Sequence, residues 1–339
     1  MNDVDVIVVG GGPVGLAAAI EARLAGMTVA LVEPRDGVID KACGEGLMPG
    51  ALPLLARLGV DPDGMPLRGV SYNTPRRRAD HLFRTGVGRG VRRTVLHSAL
   101  SARAAALGVE RVTARVESLE HDADGVSAAG IRASWLFGAD GLHSTVRRLA
   151  GLDRAAPTAR RRFGITRHFP VAPWSELIEV HWAPRAEVYV TPLAPDLVGV
   201  AILGAPRTDF DETIRAVPAL ASRLGGMPSS TGSKGAGALR QRASAPSRGR
   251  VLLVGDSSGY VDAITGEGLR LGFDQARAAV AAAIGGPAYD REWRRVTRDF
   301  RVLTSGLVGA ATSPLRGAIV PAAAALPGVY GAVVERLAR

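Results

Sequence analysis

The stretch DVIVVGGGPVG, residues 5–15, runs a series of β-branched residues into a glycine turn and is followed by an alanine-rich segment reaching Gly26. The first part reads as a buried strand and the last as a helix. Gly10 permits the tight turn, Gly12 lets the backbone approach a pyrophosphate, and Gly15 lets helix and strand pack closely, so the positive helix end faces an anion. The next strand, residues 28–32, ends at Glu33, placed to accept hydrogen bonds from ribose hydroxyls and to repel a ribose phosphate. The expected contacts of a dinucleotide are therefore Gly10, Gly12, Pro13, Val14 and Gly15, with Glu33 and Arg35 at the adenosine end.

Two distant segments select FAD over NAD. WLFGADGLHSTVRR, residues 135–148, is an apolar strand ending at Asp140 and Gly141. In RVLLVGDSSGYVDAITGEGLRLGFDQA, residues 250–276, a strand delivers Gly255 and Asp256 at its carboxyl end. An acid there suits the polyhydroxylated ribityl chain that a flavin has and NAD lacks. Gly266, Glu267 and Gly268 then open a helix whose free amides suit the flavin pyrimidine edge, where negative charge develops on reduction. Between these motifs, residues 91–107 read as a helix carrying Arg93, Leu96 and Leu100 at helical spacing.

The full set resembles the para-hydroxybenzoate-hydroxylase-fold flavoproteins, and the loop KACGEGLMP, residues 41–49, is similar to the Lys-x-Cys-Gly-x-Gly loop of their geranylgeranyl-reductase-like branch. The resemblance implies that Cys43, Gly44 and Arg93 contact FAD. GDSSG with TGEG is similar to the same branch, and Gly259 stands where the hydroxylases typically have His. The branch's Tyr-x-Trp-x-Phe-Pro strand is matched only by EVYVTP, residues 187–192, with Tyr189 in place of the tryptophan. The Trp-x-Trp-x-Ile-Pro string of related halogenases does not occur.

The implied architecture is α/β: a glutathione-reductase-like, FAD-binding Rossmann domain, a smaller antiparallel-sheet substrate domain, and C-terminal helices. The FAD-binding domain is expected to be discontinuous, over residues 1–70, 92–158 and 240–290, with residues 71–91 and 159–239 forming the substrate domain and 291–339 the helical segment. Strand-like runs at 163–169, 178–182, 187–191 and 198–203 would form the sheet that roofs the flavin, before a helix near 209–224.

Composition narrows the partners. The chain has 339 residues, 47% of them hydrophobic, enough to bury one large or two ordinary cores. Its net charge of +10 is spread out, with triplets only at 76–78 and 160–162, and aromatics are 5%, so a nucleic-acid platform is not expected. Cys43 is the only cysteine, which excludes an intramolecular disulfide and points to the cytoplasm, as does an N-terminus that starts directly on a strand pattern. Prolines 314, 321 and 327 divide the apolar stretch 306–334 into pieces too short to span a bilayer, leaving peripheral membrane contact as the alternative to simple packing. The six histidines show no spacing that builds a metal site, so no metal is expected.

The chemistry would belong to FAD, with NAD(P)H as a transient reductant because no second Rossmann motif is present. The leading expectation is a monooxygenase acting on an aromatic or polyketide-like small molecule, aromatic or lipophilic in character. The alternative is a reductase of an isoprenoid double bond, which needs a proton donor, with Cys43 and Tyr189 as the candidate catalytic residues. A non-catalytic flavin-binding module and an NAD-dependent dehydrogenase are further alternatives.

Overall fold

The computed structural model describes residues 3–156 and 161–339. The position between 158 and 159 proposed as a domain boundary, and Arg160 of the second arginine triplet, lie outside the described residues.

The strand Val4–Val9 is the centre of the first sheet, pairing in parallel with Ile131–Gly138 on one side and Val29–Val32 on the other. Val251–Leu253 and Glu110–Val112 extend it in parallel on the two sides, and Ser247–Arg248 adds an antiparallel edge beyond Val251–Leu253. Parallel neighbours need crossovers, and the helices Pro13–Leu24 and Arg93–Ala106 supply two of them. Together with Gly268–Ala283 they cover one face, where Val6, Val8, Ala17 to Ile20, Leu100, Phe137 and Ala276 are fully enclosed. Each of the larger aliphatic side chains contributes about 2 kcal/mol by leaving water. The other face is closed by the short antiparallel strands Leu119–His121 and Val126–Ala128.

A second sheet has the order Lys234–Gly237, Phe163–Phe169, Leu197–Gly204, Ala186–Ala194, Leu177–Trp182, Gly69–Asn73, Arg78–Leu82. The four runs read from the sequence are all present. They pair antiparallel with one another as expected, and the further strand Gly69–Asn73 joins Leu177–Trp182 in parallel. About a hundred residues, including the strands Glu110–Val112 and Ile131–Gly138 of the first sheet, lie between these two strands rather than a hairpin, so no turn imposes an antiparallel pairing. Residues 88–90 do not join this sheet but pair with Gly46–Leu47 and Met65–Leu67 in a small separate one. The helix expected near 209–224 is two helices, Phe210–Arg215 and Pro218–Leu224, because Pro218 drives Val217 into extended backbone.

The C-terminal region is helical: Tyr289–Ala311, then Ile319–Ala325 and Pro327–Ala338. Among the described residues no single helix is long and apolar enough to cross a membrane; the pieces Pro314–Ala325 and Pro327–Ala338 bend by 102° at their break.

Candidate functional site

The glycine turn is shaped by the space each residue leaves. Gly10 has a φ of +106°, and a Cβ there would lie 2.5 Å from Ala139 O. A Cβ on Gly15 would lie 1.8 Å from Gly10 O, whereas one on Gly12 would meet only Arg93 Nη2, at 3.8 Å. Gly10 and Gly15 are thus required by packing, and Gly12 keeps open a space beside a helix whose first turn carries no side-chain cap. Glu33, 1% exposed, accepts hydrogen bonds from Gly11 N (2.8 Å), Arg35 N (3.0 Å) and Arg35 Nε (2.7 Å). Burial alone would raise its carboxyl, but these hydrogen bonds and the Arg35 charge hold it below its ordinary value.

The other two motifs close on the same space. Asp140 Oδ2 accepts from Val146 N at 3.0 Å, while its buried Oδ1 has no partner among the described residues. Arg93 Nε is likewise buried and unpartnered. Asp256, at the end of Val251–Leu253, is pushed up by burial against the opposing pull of Lys41 and Arg93. Lys41 is pushed down by burial, and its Nζ lies 3.4 Å from the Cβ position of Gly141. The two motifs are stapled by Arg147, 3% exposed, which donates to Leu142 O (3.0 Å), Ser257 O (3.1 Å) and Gln241 Oε1 (3.2 Å) and pairs with Asp153 at 2.6 Å.

Glycine clearance, a free helix N-terminus and orphaned donors and acceptors around one void fit a long ligand with a diphosphate and many hydroxyls, as FAD has. The void is a cavity of about 790 Å³, within the range of small-molecule sites, and runs from the glycine turn to the second sheet. There it meets Val70, Tyr72, Ile178, Val180, Ala201 and Leu203, with Val334 and Leu337 of the last helix.

Of the candidate residues, Gly10, Gly12, Pro13, Val14, Glu33, Arg35, Cys43, Gly44, Arg93, Asp140, Gly141, Tyr189, Asp256, Gly266 and Gly268 line this cavity. Gly15, Gly255 and Glu267 do not line it. Gly15 packs on Gly10, Gly255 N donates to Gln275 Oε1 at 2.7 Å, and Glu267 turns into its own helix to pair with Arg270 at 2.8 Å. Tyr189 Oη donates to Ile264 O at 2.8 Å, fastening the sheet to the turn that precedes Gly266. Burial pushes the Cys43 thiol up, and its Sγ accepts from Glu45 N at 3.4 Å.

Several functional positions carried no local signal. Glu45 Oε1 accepts from Arg93 N at 2.7 Å and Oε2 contacts His168 Nε2 at 2.7 Å, tying the cofactor-side loop and helix to the second sheet. Arg162 pairs with Asp262 at 3.0 Å and with Glu187, which also binds the half-buried Arg316, so three buried charges and one half-buried charge satisfy one another. Only Arg147, in the segment that follows Asp140, was within reach of motif reading.

This fold and site define an FAD-binding α/β protein. The chain belongs to the FAD binding domain family, which it matches over residues 3–290. It is 29% identical over 297 residues to a dialkyldecalin synthase of Streptomyces rugosporus, covering 80% of this chain and 63% of that protein. It is 28% identical over 314 residues to a 12-dehydrotetracycline 5-monooxygenase/anhydrotetracycline 6-monooxygenase of Streptomyces rimosus, covering 80% and 61%. The chain thus spans less than two thirds of the length of these two relatives. A digeranylgeranylglycerophospholipid reductase of Methanosarcina mazei is 33% identical over 166 residues, 44% of this chain and 41% of that one, in keeping with the reductase-like branch. In fold, the chain superposes on p-nitrophenol 4-monooxygenase from Pseudomonas putida with a TM-score of 0.79 at 22% identity, covering 100% of this chain and 97% of that one.

Proposed function

We propose that this chain is an FAD-dependent, NAD(P)H-using monooxygenase that oxygenates an aromatic or polyketide-like small molecule of lipophilic character. The observation that carries the reading is one continuous cavity joining the polar dinucleotide cradle to an apolar sheet face. Bound FAD, reduced by NAD(P)H, supplies the electrons with which oxygen is activated. The chain's own part is to bind, orient and keep dry: Tyr189 ties the sheet to the Gly266 turn, and Ile264, Val334 and Leu337 exclude water from the far end. Glu267, at the start of Gly268–Ala283, pairs through Oε2 with Arg270. The tetracycline monooxygenase relative supports the reaction class. A cytoplasmic setting, supported by the lone cysteine, would supply the reductant.

A prenyl reductase is the second reading, favoured by the residue 41–49 loop and the archaeal reductase relative. It needs a proton donor at the substrate, and the two candidates serve it poorly. The Tyr189 hydroxyl proton is engaged by Ile264 O, and burial makes the Cys43 thiol a weaker acid.

The test is to reduce the FAD-loaded protein anaerobically, then admit ¹⁸O₂ with a panel of aromatic and prenylated compounds and analyse products by mass. An aromatic product carrying one ¹⁸O is expected. Reduction of a prenyl double bond with no oxygen present would replace this reading by the second.

A further inference from the structure

Every charged side chain that lines the cavity, among the described residues, comes from residues 33–148 or is Asp256, and the one that reaches the second sheet, Glu45, is engaged by His168. The second sheet and the last helix contribute none. Across the sheet, register places Thr166 opposite Ala201, Ala201 opposite Tyr189, Tyr189 opposite Val180, and Val180 opposite Tyr72. This row crosses four strand spacings, about 19 Å, and all five of its residues line the cavity. Of the polar groups that the sheet does carry, Glu187 is spent on Arg162 and Arg316, and the His168 ring on Glu45.

Within the row, Tyr189 has its hydroxyl engaged at Ile264 O. The Tyr72 hydroxyl and Thr166 Oγ1 have no hydrogen-bond partner among the described residues. Tyr72 is held in place by ring contacts instead, edge-on to Trp182 at 5.5 Å and tilted on Tyr330 at 5.0 Å. A phenol fixed by its ring with its hydroxyl free is pre-organised to donate to a ligand oxygen.

We infer that the substrate is an uncharged, elongated, fused-ring molecule laid along the Thr166 to Tyr72 row, with a carbonyl or hydroxyl oxygen recognised by Tyr72. The inference rests on the monooxygenase reading for its reaction but not for its binding site. A carboxylate on this surface would lose its hydration with no cation to replace it, so small aromatic acids are disfavoured. A purely hydrocarbon ligand would fit the floor but leave Tyr72 unused.

Three probes of one ring system separate these terms: 2-acetylanthracene, 2-ethylanthracene and anthracene-2-carboxylate. Their binding is measured on the oxidised, FAD-loaded protein by perturbation of the flavin spectrum and quenching of anthracene fluorescence, with no turnover involved. The ketone is expected to bind best, the ethyl compound roughly three- to tenfold more weakly, as one lost hydrogen bond dictates, and the carboxylate more weakly still. Tyr72→Phe is expected to abolish the difference between ketone and ethyl probes while leaving the ethyl affinity unchanged. Three outcomes overturn the inference: a carboxylate that binds as well as the ketone, a Tyr72→Phe loss equal for both neutral probes, or no binding by any of the three. Failure of the ¹⁸O₂ experiment with intact probe binding would remove the reaction and leave this site standing.

Discussion

Glu45 Oε2 lies 2.7 Å from His168 Nε2, so the cofactor-side loop and the sheet above the cavity meet in one buried bond. His168 N donates to Thr231 Oγ1, which also lies 2.9 Å from His168 Nδ1, so both ring nitrogens are engaged. Glu45→Ala strands His168 and the amide of Arg93 together. A loss of about 2–4 kcal/mol in denaturant unfolding is expected, with a Glu45–His168 double-mutant coupling above about 1 kcal/mol. Strict additivity of the two single variants would show that the bond carries no energy.

The two outer glycines of the turn and the middle one should separate folding from cofactor binding. Gly15→Ala forces a methyl group against Gly10 O and should lower stability by about 3 kcal/mol or more. Gly12→Ala meets nothing nearer than Arg93 Nη2 at 3.8 Å, so its apoprotein should melt within a few degrees of wild type while FAD affinity falls at least tenfold. Thermal melts of the apoproteins and fluorescence titration with FAD measure both. Retained FAD affinity in Gly12→Ala would mean the ligand does not pass over that residue.

Glu267 sets a pH dependence. Burial raises its carboxyl from 4.5 to about 7, against the opposing pull of Arg270. Between those values the folded protein keeps a proton that the unfolded chain has released, so this group lowers stability as pH rises from 4.5 to about 7, with no further loss above. Glu267→Gln, which cannot ionise, should therefore gain on wild type across that window by on the order of 3 kcal/mol. Urea unfolding of both proteins from pH 4 to 8 tests it; a difference that does not change with pH would contradict the assignment.

Cys43 and Tyr189 should prove dispensable as acids. Cys43→Ala and Tyr189→Phe are each expected to retain oxygen-dependent product formation within about tenfold and to leave the pH profile of turnover unmoved. Tyr189→Phe should also raise uncoupled oxygen consumption, because the sheet loses its tie to Ile264 O. A hundredfold loss with a displaced pH profile for either would restore that residue as a proton donor.

Arg147→Lys should be nearly as damaging as Arg147→Ala, since an ammonium cannot reach Leu142 O, Ser257 O, Gln241 Oε1 and Asp153 at once. Weakened FAD retention in both, measured by dialysis, is the expected result. Full rescue by lysine would reduce the residue to a simple charge.

The amino-acid sequence by itself determined the class of fold and the cofactor. Gly10, Gly12, Gly15, Asp140, Gly141 and Asp256 answer to local demands, namely a left-handed turn, backbone clearance and an acid at a strand's carboxyl end. Such demands are met by residue type and short spacing, so they are readable in the chain. The tertiary structure alone decided the rest: the parallel pairing of Leu177–Trp182 with Gly69–Asn73, the turning of Glu267 onto Arg270, the meeting of Glu45 with His168, and the row that sets Tyr72 in line with Thr166. Those relations depend on the register of strands and the docking of loops far apart in the chain, where no local pattern records the partner, and a slip of one residue in register would turn Tyr72 away from the cavity.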